Sequence, residues 1–191
     1  MTMVLTEGPL AEPVSLAELK VQTRVDGSEE DILLSSLIVA ARLYVEQTFG
    51  LALINQNWSY FLDGWPQDLE FHPPLRPIQT VSALRVYDSN GAATTVGASD
   101  YAASVSQKSI RVMRRPGAIW PAPGRSADGV EIAFTAGFGA EGSKIPEPIR
   151  RAILMLAAWW FEDREPVPTQ ASLSAPPAIL ALLGPYREFR L

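Results

Sequence analysis

From Glu29 to Phe49 the chain runs without proline or glycine, and its apolar residues spill over more than one helical stripe: Ile32, Leu33, Leu34, Leu37, Ile38, Val39, Leu43, Tyr44 and Val45. The pattern predicts a long helix that must be covered on several sides. Ser28, followed by Asp31, marks its start, and Gly50 sits where a C-terminal cap belongs. Upstream, Pro13 precedes Ser15 and Glu18, a capping-box spacing that predicts a shorter helix to about Val25, closed by Asp26-Gly27.

Beyond Asn55 the texture changes to short segments punctuated by Pro, Gly, Asn and Asp, as far as Gly142. Trp58, Tyr60 and Leu62 alternate with Ser59, Phe61 and Asp63, the period of two that a strand requires. Val81 to Tyr87 predicts a strand running into the turn Asp88-Ser89-Asn90-Gly91. Ile110 to Met113 and the alternation Val130, Ile132, Phe134 predict two more. Helix returns at Pro146-Glu147-Pro148, since proline is tolerated in a first turn, and continues to about Asp163. Ile149, Ile153, Leu156 and Trp160 form one face of it, while Leu154, Met155, Trp159 and Phe161 fall outside.

The predicted class is α+β. An N-terminal helical hairpin and the later long helix form a helical bundle, with a small antiparallel β-rich insertion and an extended or short-helical C-terminal tail. The boundaries are 1–54 for the helical part, 55–142 for the β-rich part, 143–165 for the long helix packing on the first two, and 166–191 for a proline-rich linker and docking tail. Leu34, Ile38, Tyr44, Met155 and Trp159 are the candidate subunit-interface residues, because two helices with no fully polar side leave apolar surface to bury.

Composition narrows the function. With 47% hydrophobic and 19% charged residues the chain is globular. A formal charge of −5 argues against general high-affinity nucleic-acid binding. The absence of cysteine removes disulfides, thiolate metal sites and cysteine nucleophiles. The first residues, MTMVLTEGPLAEP, lack a basic region and a long apolar run, so no secretory signal is expected there. Ile153 to Phe161 is apolar but covers only about half of the roughly 20 residues a membrane helix needs, and no membrane is expected as partner.

Candidate chemistry is sparse. His72 is the only histidine, too few for a metal site or a triad, so neither metal nor cofactor is expected. Asp63, Asp68 and Glu70 lie close in sequence, as do Glu162, Asp163 and Glu165, but spacing alone does not converge two carboxylates on a scissile bond. No phosphate-loop, nucleophile-elbow or zinc-protease motif is present. Lys108, Arg111, Arg114 and Arg115 place four of 16 basic residues in one short stretch. They are a candidate patch for an acidic partner, although a solvated strand edge fits better, because no aromatics interleave.

The order of the segments is more specific than any of them. SLAELK, RVDGSEED and LIVAARLYVEQTFG are followed by Gln56-x-Trp58 and Leu62-Asp63-Gly64-Trp65-Pro66. Then come Pro73-Pro74-Leu75, Gly117 to Trp120-Pro121, the Phe134 to Gly139 strand end, Trp159 to Glu165, and Leu183-Gly184-Pro185-Tyr186-Arg187. The chain resembles the head–tail connector, or adaptor, proteins of long-tailed bacteriophages and phage-derived gene transfer agents, from about residue 13 to the end. Thr23, where an apolar residue is expected, and Phe71-His72 before the prolines depart from the pattern.

The resemblance implies a non-enzymatic ring subunit, about a dozen copies forming a dodecamer by heterologous contacts that close. The ring would sit beneath the portal protein and bind a stopper or another neck or tail protein. DNA would pass through without sequence-specific binding, which an acidic subunit suits. The protein would be made in the bacterial cytoplasm and reside in the particle neck. The family's C-terminal segment reaches the portal, which carries over to Ile179, Leu182, Leu183, Tyr186, Arg187 and Phe189. The rival readings are a stopper or tail-completion protein, which the long helices argue against, and a small carboxylate-dependent hydrolase using Asp63 and Glu70. A generic ligand-binding module is the third, whose tail would fold onto its own body.

Overall fold

Ser15 stands in extended backbone, its Oγ accepting from the Glu18 N–H at 3.2 Å while the Glu18 carboxylate accepts from the Ser15 N–H at 2.8 Å. Helix α1 (Leu16–Thr23) follows from this predicted capping box. It stops before Asp26-Gly27, because Arg24 already takes left-handed backbone (φ 57°) and its N–H closes on Lys20 O. Helix α2 spans Asp31–Phe49 and ends on Gly50 at φ 62°, the expected cap. Ser28 does not cap it: the Ser28 carbonyl accepts from Asp31 N in a turn, and the Asp31 carboxylate binds Lys20 Nζ at 2.6 Å instead. Helix α3 (Glu147–Glu162) starts with Pro148 in its first turn, and α4 covers Pro177–Leu183.

The computed structural model describes residues 1–106, 109–163 and 175–187, which divide into two units. The helical unit contains Leu10–Ile54 and the described residues from Gly139 onward. Within it α3 packs against α1, α2 and α4. Leu19, Leu34, Ile38, Ala41, Val45, Ile149, Ile153 and Leu156 form the core, each side chain the size of leucine adding about 1.5–3 kcal/mol by leaving water. Tyr44 meets Trp160 edge-on, ring centroids 6.0 Å apart. By length and composition α2 is apolar enough to cross a membrane, a property that the shorter run at Ile153 does not have. Its inner face is buried in the helical unit, with Arg42 and Glu46 ion-paired inside, while Ile32, Leu33, Val39 and Leu43 stay exposed.

The β unit consists of Met1–Pro9 and Asn55–Phe138. Strands β1 (Thr2–Glu7), β2 (Gln56–Leu62), β4 (Ile78–Tyr87), β5 (Ala93–Thr95) and β8 (Val130–Ala136) make one antiparallel sheet in the order β1-β2-β8-β4-β5. The remaining strands, β3 (Glu70–Phe71), β6 (Tyr101–Val105) and β7 (Ile110–Arg114), form a second sheet in the order β3-β7-β6. Ile132 lies in register with Tyr60 on one side and Leu84 on the other. Val130, Ile132, Phe134, Leu84 and Val86 share that face and are buried, as are Phe71, Ile110 and Val112 of the second sheet.

The molecule is mixed helix and sheet, but its units differ from the expected boundaries. The first residues are not part of the helical unit: Thr2–Glu7 pairs with β2, a long-range contact that no local pattern signals. The β part is not a small insertion, since it carries all eight strands found among the described residues. Its second boundary falls at Phe138, before Gly142.

Candidate functional site

The chain preceding α1 is fastened in two places within the helical unit. Glu12 accepts from Arg42 Nε at 2.8 Å, and Arg42 Nη1 also donates to Glu46 at 2.8 Å, one helical turn further along α2. The other oxygen of Glu46 accepts from the Leu53 N–H at 2.9 Å. On the α3 side, Arg150 donates to Pro13 O at 3.2 Å, to Glu147 at 3.0 Å, and to Glu18. These clamps frame a half-open hollow of about 480 Å³, lined by Pro13, Val14, Leu16, Ile38 and Val39 with Glu12, Glu18 and Ser35 at its polar parts.

Both carboxylates of the hollow are held in ion pairs. The Ser15 backbone N–H, helped by the Ser15 hydroxyl and by Arg150, outweighs partial burial and holds the Glu18 carboxyl below the usual range. Glu12 is engaged by the buried Arg42. The hollow is therefore an apolar socket with a neutralised rim.

Beside it runs a row of outward-facing side chains on α2. Ile32 is 88% exposed, Val39 37% and Leu43 41%, with exposed Ser36 and Ala40 between them. Their spacing keeps them on the side opposite Leu34, Ile38, Ala41 and Val45. Val39 belongs both to the row and to the hollow. On α1 the exposed residues are Ala17 and Val21, opposite the buried Leu19, with exposed Arg24 just past its end.

This corrects two of the five expected interface residues. Leu34 and Ile38 are 0% and 3% exposed and belong to the subunit's own core. Tyr44, Met155 and Trp159 are half-buried. A helix apolar on several sides does not reveal from its sequence which side the subunit covers itself, and here the covered side holds Leu34 and Ile38 beside the Arg42–Glu46 ion pair.

In the tail, Ile179 and Leu183 are buried, and α4 packs on α3, so these two are occupied within the subunit as described. Leu182 and Tyr186 are half-buried and Arg187 is exposed; Phe189 lies outside the described residues.

The basic cluster does not form one patch. Arg111 pairs with Glu70 at 2.8 Å, and alternation along β7 sends Arg114 to the opposite face. Arg115 donates to Tyr101 O, and Lys108 lies outside the described residues.

The carboxylates of the hydrolase reading are likewise engaged. Asp63 accepts from the Asp128 N–H, Asp68 from the Glu70 N–H, and the Arg111 bond holds the Glu70 carboxyl below its usual range. His72 is exposed, and no group of three metal-binding side chains occurs among the described residues. A buried carboxylate that the sequence did not flag, Glu131, accepts from Ser59 Oγ at 2.6 Å, Tyr87 OH at 2.6 Å and Arg85 at 2.8 Å.

No family model matches the chain, and no curated protein does. Solved structures do. A chain in the neck of an empty gene transfer agent particle, computed with C6 symmetry, is 28% identical, with a TM-score of 0.81 over 100% of this chain and 97% of that one. A chain in the virion of a native gene transfer agent particle gives the same values. One from the neck of a native particle, computed with C12 symmetry, is 29% identical with a TM-score of 0.72 at the same coverage.

Proposed function

We propose that this chain is a structural subunit of the neck of a phage-like or gene transfer agent particle, an adaptor that forms a ring beneath the portal and surrounds the passing DNA. The match that spans 100% of this chain and 97% of a neck chain carries the reading, because it covers both units and not a shared fragment. The role is non-enzymatic, in keeping with a hollow whose carboxylates are engaged in ion pairs. The matched necks were computed with C6 and C12 symmetry, and a ring of like subunits is the closed assembly that cyclic symmetry allows. The formal charge of −5 suits a conduit that lets DNA slide.

Portal attachment falls to the outward side of the tail, Leu182, Tyr186 and Arg187, since Ile179 and Leu183 hold α4 in the core. The test is the mass and shape of the purified protein, alone and mixed with its cognate portal, by light scattering and negative-stain imaging. Ring-shaped density capping the portal supports the adaptor role. A protein that joins only after another ring is seated on the portal is a stopper, and one that stays monomeric and ignores every neck component is neither. Substituting Tyr186 and Arg187 together is expected to abolish attachment with the fold intact, which deletion of the whole tail would not leave.

A further inference from the structure

We infer that the outward row of α2 is one half of the contact between adjacent copies of this chain, and that the outward face of α1 on the next copy is the other half; this rests on the ring reading above. Two observations lead there. Ile32, Val39 and Leu43 form an apolar row with only Ser36 and Ala40 interleaved, side chains small enough for a second helix to approach closely. Val39 opens that row into the apolar hollow beside it, so the surface is a ridge flanked by a socket.

The α1 face has the complementary make-up. Val21 is 81% exposed and stands between Ala17 and Arg24, and Arg151 of α3 reaches the same helix by donating to Gln22 at 2.9 Å. Arg24 and the Arg151 bound to Gln22 therefore stand on the Val21 side of α1, whereas exposed Glu29 stands just ahead of Ile32. Opposite charge around two different apolar patches favours joining one patch to the other over joining either to itself. Unlike patches joined head to tail are what a ring requires, because a patch that pairs with itself closes a dimer.

The lack of cysteine makes the test direct. Val21→Cys is mixed with Ile32→Cys, Val39→Cys or Leu43→Cys in turn, under oxidising conditions, with the protein alone and seated on its portal. The expected result is a disulfide-linked dimer only in the mixtures, and a ladder of higher species when both cysteines are on one chain. Because Ile32 is 88% exposed, Ile32→Asp is expected to leave thermal unfolding unchanged while weakening ring formation at least about tenfold.

Rings without any of these cross-links would overturn the surface and leave the ring reading standing. Self-dimers of Ile32→Cys would overturn the head-to-tail pairing. A maleimide label blocked at Ile32→Cys only when the portal is present would make the row a portal contact and overturn the inference. Monomers throughout, with or without portal, would overturn both the inference and the ring reading.

Discussion

Arg42 and Glu46 lie one turn apart on α2 and meet at 2.8 Å, each side chain only 9% exposed, so an ion pair forms part of the helical core. The desolvation that burial imposes on both groups is offset by further partners, Glu12 for the arginine and the Leu53 N–H for the glutamate. Glu46 therefore joins α2 to the segment that leaves it, and Arg42 joins α2 to the segment that enters α1.

Arg42→Ala is expected to destabilise the protein by about 3–5 kcal/mol, because it strands a buried carboxylate. Replacing the pair by Met and Leu together should not restore full stability, since the buried Leu53 N–H would lose its acceptor. Urea unfolding of the two variants against the parent checks both statements.

For Glu131, burial alone would push the carboxyl up, but the Ser59 and Tyr87 hydroxyls and Arg85 outweigh it and hold the group below the usual glutamate range. A folded-state value below the unfolded one means that the stabilisation is complete above the unfolded pKa of about 4.3 and is lost as pH falls through the lower folded value. Stability measured from pH 6 downward should decline in that window, and Glu131→Gln should be less stable at pH 6 and show a shallower decline. An unchanged slope in the variant would show that Glu131 is not responsible.

Ser15→Ala removes the hydroxyl that accepts from Glu18 N and is expected to cost about 1 kcal/mol. Ser15→Asp should retain most of the cap, and the difference between the two separates capping from side-chain size. Thermal unfolding resolves an effect of this size.

Gly137 adopts φ 144°, and a Cβ there would lie 2.6 Å from Asn55 N, a backbone atom with little freedom to move. Gly137→Ala is expected to cost on the order of 2 kcal/mol or more, combining backbone strain with overpacking. Recovery of the soluble variant and its urea midpoint measure this; a neutral result would mean that the β2 entry shifts more easily than the packing implies.

What was legible in the sequence follows the range of the interactions concerned. Caps are local, so Ser15 with Glu18 and Gly50 could be read directly and stand where expected. Strands packed on one face alternate, so Val130, Ile132 and Phe134 announced β8. Strand β1 was invisible because Thr2–Glu7 is exposed nearly throughout and is a strand only through its pairing with β2. The outward row of α2 could not be told from the inward one because apolar residues occupy both sides of the helix. Only the tertiary partners, Glu12 and Leu53, reveal that Arg42 and Glu46 point inward.

The chain passes between the two units at Pro9–Leu10, Ile54–Asn55 and Phe138–Gly139. During synthesis β1 therefore emerges without β2, and α1 and α2 wait for α3 until the whole β unit has been made. The β unit is thus complete in sequence at Phe138, while α1 and α2 still lack the helix that covers them. A break at Ile54 would leave both units unfinished, whereas a break at Phe138 would leave every strand of the β unit in one piece and strip only the helical unit of α3 and α4, so the two units are unequally exposed to truncation.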